Sequence, residues 1–122
     1  MQDLPPAALA LVAAYFQALA EPTRLQALNF LRGGERRVGE IAEHCGCTQA
    51  NMSRHLTLLG KQGLVARTSR GTSAFYRIAD EATYALCDLV CHSVGRRLQD
   101  LTSERAAFAP APAAPAQRKQ PR

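Results

Sequence analysis

Residues 45–65 read CGCTQANMSRHLTLLGKQGLV and contain the features that decide the fold. Gly46 allows a tight turn, and Thr48 is a favoured residue for capping the start of a helix. The apolar residues that follow recur at three- and four-residue spacing, which predicts one buried helical stripe broken by Gly60 and Gly63. The stripe consists of Met52, Leu56 and Leu59, with Leu58 as a further candidate. The stretch therefore predicts a turn followed by an amphipathic helix from Thr48 to about Leu59.

Three helices are predicted before this stretch. Pro5 opens the first, whose apolar residues recur at helical spacing as far as Ala20. Pro22 fits the first turn of the second helix, because a proline there loses no hydrogen bond. The second helix stops at Gly33, and a short third helix ends at Cys45. These helices place the turn of the quoted stretch between two helical segments.

After the quoted helix the apolar pattern changes to a period of two. Leu64–Arg67 and Ser73–Ile78 alternate as strands do, and residues 68–72 between them are typical of a turn, so a β-hairpin is predicted. Asp80 then caps a long last helix, from about Glu81 to Ser103. The chain is therefore expected to be mainly α-helical with one hairpin.

Length and composition indicate one domain and a short tail. The chain has 122 residues, 47 % of them hydrophobic and 20 % charged, which suits a single compact core. We expect a domain over residues 1–106 and a disordered, basic, Ala/Pro-rich tail over residues 107–122, which has little to bury. No apolar run is long enough to span a membrane, and the N-terminus lacks the basic start of a secretory signal. A cytoplasmic protein without a membrane partner is predicted.

Positive charge is concentrated in the quoted stretch and the hairpin. The net charge is +5, and no Asp or Glu occurs from His44 to Ala79. A local basic surface fits a polyanion partner, because neutralised phosphates release counterions, although a solvated basic face is a common alternative. The basic residues in this acid-free window are Arg54, Lys61, Arg67, Arg70 and Arg77.

The order helix, turn, helix and hairpin is the plan of a winged helix-turn-helix, here with five helices in all. Its recognition helix would begin at Thr48 and expose side chains of the types that bind base edges or phosphates in the major groove. In isolation, such a polar face is usually only solvated, but the acid-free window and the basic hairpin tip coincide with it. The predicted DNA contacts are Thr48, Gln49, Ala50, Asn51, Ser53, Arg54 and His55 on the helix, and Arg70 and Thr72 at the hairpin tip.

Five segments, taken in order, resemble the ArsR-SmtB group of bacterial repressors. The resemblance extends from about residue 8 to residue 100 and implies a homodimer paired through its first and last helices. It also implies a palindromic double-stranded operator, which suits twofold symmetry, and release from DNA when an effector binds. The segments are LAEPTRL (19–25), VGEIA (38–42), TQANMSRHL (48–56), GLV (63–65) and YRI (76–78).

Four cysteines are the candidate effector ligands. Cys45 and Cys47 flank the turn, whereas Cys87 and Cys91 share one face of the last helix, with Cβ atoms about 5 to 6 Å apart at this spacing. Thiolates bind soft ions such as Cu(I), Zn(II) and Cd(II), and the resemblance adds trivalent arsenic and antimony. Two effector sites familiar in the group are not matched, because Arg37–Glu40 replaces a Cys-Val-Cys and the last helix lacks most of the zinc ligands. Cys87 and Cys91, with Cys45 or Cys47 joining them, are the predicted metal ligands.

Other interpretations of the cysteines stay open at the level of sequence. Cysteine is often a buried packing residue, and a disulfide or persulfide would make the same protein a redox or sulfur switch. A structural zinc site is disfavoured because the Cys-x-Cys and Cys-x3-Cys spacings differ from the usual Cys-x2-Cys. A thiol oxidoreductase is disfavoured because no βαβ unit accompanies the Cys45 and Cys47 pair. No catalytic arrangement is visible, so neither an enzyme nor a permanently bound cofactor is predicted.

Overall fold

The computed structural model describes residues 3–108. The chain divides between Thr83 and Tyr84 into two compact units. Helix α5, Ala82–Phe108, contributes its first two residues to the first unit and the remainder to the second. The other elements are helices α1 (Pro6–Leu19), α2 (Pro22–Phe30), α3 (Val38–Cys45) and α4 (Gln49–Lys61), a 3-10 turn at Leu31–Gly33, and strands β1 (Arg36–Arg37), β2 (Val65–Arg70) and β3 (Ser73–Ile78). This order confirms the predicted winged helix-turn-helix with five helices.

The corner between α1 and α2 is fixed by a cap. Pro22 occupies the first turn of α2 as predicted, and the Glu21 carboxylate accepts a hydrogen bond of 2.9 Å from the backbone N–H of Arg24. This backbone hydrogen bond lowers the pKa of Glu21, and the charge of Arg24 adds to the effect. The Glu21 side chain is therefore held as an anion at the start of α2.

The helix-turn-helix follows the predicted local signals. Gly46 has a φ of 67°, a left-handed conformation that suits glycine, and it ends α3. The Thr48 hydroxyl then accepts a hydrogen bond of 3.1 Å from the backbone N–H of Asn51 and caps α4. Helix α4 continues through Gly60 to Lys61, past its predicted end at Leu59. The next residue in a left-handed conformation is Gly63, with a φ of 75°.

The buried side of α4 forms the centre of the first unit. Met52, Leu56 and Leu59 are all 0 % exposed, as the stripe predicts, and α4 packs against α2, α3 and β2. Leu58, the further candidate, is 40 % exposed. The candidate was wrong because two residues rotate the helix by about 200°, which turns Leu58 away from the side that Leu56 buries.

The sheet is larger than the predicted hairpin. Strands β2 and β3 pair antiparallel as predicted, but residues 68–70 belong to β2, and only Gly71 and Thr72 connect the strands. The sequence predicted a turn for residues 68–70 because they are polar, and they are polar because this end of β2 lies near solvent. Strand β1 pairs with β3 on its other edge, so the strand order is β1-β3-β2. The sequence did not indicate β1, since two arginines carry no alternation of apolar and polar residues.

Helix α5 begins where the sequence predicts and extends further. The Asp80 carboxylate accepts a hydrogen bond of 2.9 Å from the backbone N–H of Ala82, which caps the helix. The helix continues to Phe108, two residues beyond the predicted domain end at 106, and the rest of the predicted tail lies outside the described residues. Within residues 3–108, no helix is both long and apolar enough to cross a lipid bilayer.

Candidate nucleic-acid interface

Helix α4 presents its predicted contact residues on the surface. Gln49, Ala50, Asn51 and Arg54 are exposed, and Ser53 is half-buried. The Arg54 Nη2 donates a hydrogen bond of 2.6 Å to the Asn51 Oδ1, one turn earlier on the same face. This bond lays the guanidinium along the helix surface. The exposed side of α4 can therefore offer amide and guanidinium donors to a polyanion.

His55 differs from the other predicted contacts, because it is turned towards the protein. Its side chain is 24 % exposed, and its Nδ1 lies 3.2 Å from the Arg24 Nη1. A guanidinium has no acceptor, so Nδ1 must accept this hydrogen bond and the ring proton must be on Nε2. The Glu21 Oε2 lies 3.9 Å from the same Nδ1. With Nδ1 accepting from Arg24, the His55 ring is oriented and its Nε2–H is left as a donor.

Arg24 links three elements, although sequence reasoning did not single it out as an interface residue. Its Nε donates a hydrogen bond of 2.6 Å to the Ala18 carbonyl, and its Nη2 donates one of 3.2 Å to the Gln17 carbonyl. Carbonyls in the last turn of a helix lack intrahelical partners, so these bonds satisfy the end of α1. Together with the contact to His55, they connect α1 and α2 to α4.

A cleft of about 410 Å³ lies beside Arg24, between α2 and α4. We call it the arginine cleft. Both Arg24 and Arg54 contribute to it, and Leu58 provides an apolar side. Its lining residues are Arg24, Asn51, Arg54, His55 and Leu58.

A second cleft of about 500 Å³, the wing cleft, brings together the predicted contacts Gln49 and Thr72. Its lining also includes the carboxylates Glu40 and Glu43. Glu40 accepts a hydrogen bond of 3.1 Å from the backbone N–H of Arg37, which lowers the pKa of Glu40 and keeps it charged. The remaining lining residues are Arg37, Val38, Gly39, Ser73 and Ala74.

The predicted wing contact Arg70 already has partners. Its Nη1 lies 2.8 Å from the Glu35 Oε1, and its guanidinium lies over the Phe75 ring, 4.7 Å from the ring centroid. The strand register puts Arg70 on the same face of the sheet as Arg37 and Arg77. The sequence did not predict this ion pair, because Glu35 precedes the acid-free window. DNA would have to compete with Glu35 for Arg70.

The four cysteines occupy two separate environments. Cys45 and Cys47 are half-buried at the turn, and burial raises the pKa of the Cys45 thiol, with a further contribution from the charge of Cys47. On α5, Cys87 is half-buried and Cys91 is exposed. None of these four cysteines forms a disulfide. Within residues 3–108, no group of three or more His, Cys, Asp or Glu side chains is close enough to hold a metal ion.

Comparisons with known proteins identify the family. A family model described as the bacterial regulatory protein, arsR family, matches residues 21–67. The chain is 40 % identical over 81 residues to the HTH-type transcriptional regulator NmtR of Mycobacterium tuberculosis, covering 66 % of this chain and 68 % of NmtR. The chain belongs to the ArsR family. The resemblance inferred from the sequence is thereby confirmed.

Two further relatives show what this ArsR-family chain is similar to. It is 41 % identical over 68 residues to a probable mercury resistance operon repressor of Streptomyces lividans, covering 56 % of this chain and 54 % of that repressor. The chain thus matches about half the length of that relative. The homodimeric winged helix-turn-helix DNA-binding domain of Mb0332 from Mycobacterium bovis, a possible ArsR-family regulator, superposes with a TM-score of 0.70. It is 36 % identical, and the match covers 82 % of this chain and 95 % of that domain. The relatives named are transcriptional regulators, which agrees with the predicted class of protein.

Proposed function

We propose that this ArsR-family chain is a homodimeric transcriptional repressor that binds a palindromic DNA operator. We further propose that a soft metal or metalloid ion releases it by binding cysteine thiolates. The observation that carries the proposal is the exposed row of amide and guanidinium donors on α4, on a helix whose opposite side is fully buried. A major groove is wide enough to admit an α-helix whose exposed side carries such hydrogen-bond donors.

Exposed apolar surface supports a second copy of the chain as partner. On α1, Leu9, Leu11 and Phe16 are 42 %, 73 % and 45 % exposed. On α5, the large apolar residues Leu89 and Leu98 are 68 % and 60 % exposed. Soluble monomers rarely expose large apolar patches to water, and most homo-oligomers are twofold dimers. Both helices are those predicted to pair, and the related Mb0332 domain is homodimeric.

The chemistry of the thiols supports α5 as the effector site. Ligation requires a thiolate, and the raised pKa of Cys45 opposes its deprotonation. Cys91 is exposed and Cys87 lies one turn before it, so the pair offers two soft ligands to an arriving ion. Trivalent arsenic or antimony is the proposed effector, and the similarity to a mercury resistance repressor is consistent with a thiophilic ion.

A second candidate mechanism is a thiol switch at the turn. Cys45 and Cys47 are separated by one residue at the turn immediately before α4, and both are half-buried. Oxidation there, by a peroxide or a polysulfide, would join or modify the thiols and alter the turn that orients α4. This candidate keeps the DNA-binding function and replaces the ion with an oxidant.

A release experiment tests both mechanisms. A duplex selected by the protein from a random-sequence library is labelled, and the reduced complex is titrated with arsenite, antimonite, cadmium, zinc, peroxide or polysulfide. We expect arsenite or antimonite to release DNA under strong reductant, and Cys87→Ser with Cys91→Ser to bind DNA but resist release. The matched control is Cys45→Ser with Cys47→Ser, which should respond like the parent. Resistance of that control alone would instead support the thiol switch.

A further inference from the structure

We propose that the arginine cleft binds one phosphate group of the DNA backbone, with Arg24 as a ligand and as the residue that orients His55. The inference rests on the proposed function and adds a contact from α2, outside the recognition helix and the wing. The cleft of about 410 Å³ has room for a phosphate group and its oxygens.

The polar atoms left over at the cleft are donors. Arg24 uses one N–H on each of its three nitrogens, to Ala18, Gln17 and His55, and each terminal nitrogen keeps a second hydrogen that these bonds do not use. The His55 ring keeps its Nε2–H, because Nδ1 accepts from Arg24. The Asn51 Oδ1 already accepts from Arg54, so the Asn51 amide nitrogen is its remaining donor. A lining of donors suits an anion with several oxygens and does not suit a cation.

The net charge around the arginine cleft also favours a phosphate. Arg24 and Arg54 line the cleft, and the Glu21 carboxylate, 3.9 Å from the His55 Nδ1, is already engaged by the backbone N–H of Arg24. Two guanidiniums and one carboxylate leave a net positive charge. Guanidiniums match phosphate oxygens in a planar, bidentate geometry, which makes arginine the preferred residue for such contacts.

The position of the cleft favours a phosphate of DNA over a free anion. Asn51, Arg54, His55 and Leu58 lie on one face of α4, at spacings of three and four residues. When the exposed side of α4 enters a major groove, the DNA strand that borders the groove passes along the face of α4 that lines the arginine cleft. Contacts of this kind fix the register of a protein on the duplex without reading its sequence.

The experiment combines protein variants with neutralised phosphates. The selected duplex is made with a methylphosphonate at one backbone position at a time, and binding is measured for the parent, Arg24→Gln, His55→Ala and a matched control, Arg105→Gln on α5. We expect Arg24→Gln to lose roughly tenfold in affinity, on any duplex sequence, and to reduce the salt slope by about 0.9. One methylphosphonate should weaken the parent and the control but leave Arg24→Gln and His55→Ala unchanged. Thermal unfolding of each variant verifies the fold.

The outcomes separate this site from the proposed function. DNA binding by the parent with no phosphate position coupled to Arg24 or His55 would overturn the site alone. If inorganic phosphate without DNA shifts the 15N signals of the His55 ring and no backbone position is coupled, the cleft belongs to a free anion and the DNA assignment is overturned. No duplex bound by the parent would overturn the proposed function, and the site with it. The His55 ring spectrum of the parent provides a further check, because a proton on Nδ1 would contradict the orienting role of Arg24.

Discussion

The arginine cleft and the wing cleft both border α4 and are similar in size, but they differ in the charge of their linings. Arg24 and Arg54 line the first, whereas the carboxylates of Glu40 and Glu43 line the second. Arg37 also lines the wing cleft but pairs with Glu40 at 3.5 Å, which leaves the charge of Glu43 unbalanced, so a phosphate is favoured at the arginine cleft and disfavoured at the wing cleft. A basic stretch of sequence therefore does not make a uniformly basic surface, because acidic residues from preceding elements fold next to it.

Both clefts border α4, so we expect the largest effect from a change to the buried residues that hold this helix in place. Leu56 is fully buried beneath α4, and Leu56→Ala removes apolar contacts and leaves a cavity. We expect a loss of about 2 to 5 kcal/mol in the free energy of unfolding, measured by urea denaturation. The matched control is Leu58→Ala, at a position 40 % exposed, which should change the free energy of unfolding by less than about 1 kcal/mol. Equal losses would contradict the assigned orientation of α4.

Next in size are the losses of DNA affinity from single contacts at each cleft. Arg54→Ala removes a guanidinium at the arginine cleft, and Gln49→Ala removes an amide at the wing cleft. Each should cost about 1 to 3 kcal/mol in operator binding if it contacts a base edge, measured by fluorescence anisotropy. Circular dichroism and sedimentation should show an unchanged fold and assembly. Unchanged operator affinity in both variants would remove α4 from the interface.

Neutralising a carboxylate at the wing cleft sharpens the contrast between the clefts. Glu43→Gln should strengthen binding to any duplex by about 0.2 to 1 kcal/mol, because an exposed repulsive charge is removed. The same change at Glu104, on α5, should leave the affinity unchanged. Weaker binding by Glu43→Gln would mean that this carboxylate supports the interface instead of opposing it.

The smallest expected effect concerns pH and the capping carboxylates. Backbone hydrogen bonds lower the pKa of Glu21 and of Glu40 in the folded protein. The stabilisation is therefore fully present above the ordinary carboxyl pKa of about 4.3 and is lost as the pH falls through the lower folded value. Glu40→Gln should flatten the decrease in thermal midpoint between neutral and acidic pH. An unchanged decrease would show that the Glu40 cap does not contribute.

The sequence predicted the elements whose signals are local. Gly46 and Thr48 determined the turn and the start of α4, and the spacing of Met52, Leu56 and Leu59 determined its buried side. These features depend on backbone conformation and helical period, which neighbouring residues set.

Contacts between distant residues could not be predicted in the same way. The contact of Arg24 with His55 joins residues 31 positions apart, and the pairing of Glu35 with Arg70 requires β1 to lie beside β3. Both contacts change what the predicted interface can do. One turns His55 towards the protein, and the other occupies a wing arginine.

NMR measures whether the exposed side of α4 contacts DNA, which is the claim that the other proposals depend on. The 15N-labelled, reduced protein is titrated with the selected duplex, and the backbone and side-chain signals are followed. The claim predicts that signals of residues 48–58, of Arg24 and of residues 70–72 shift together and saturate, and that added salt reverses the shifts. Shifts confined to α5, or none at millimolar duplex, would contradict it.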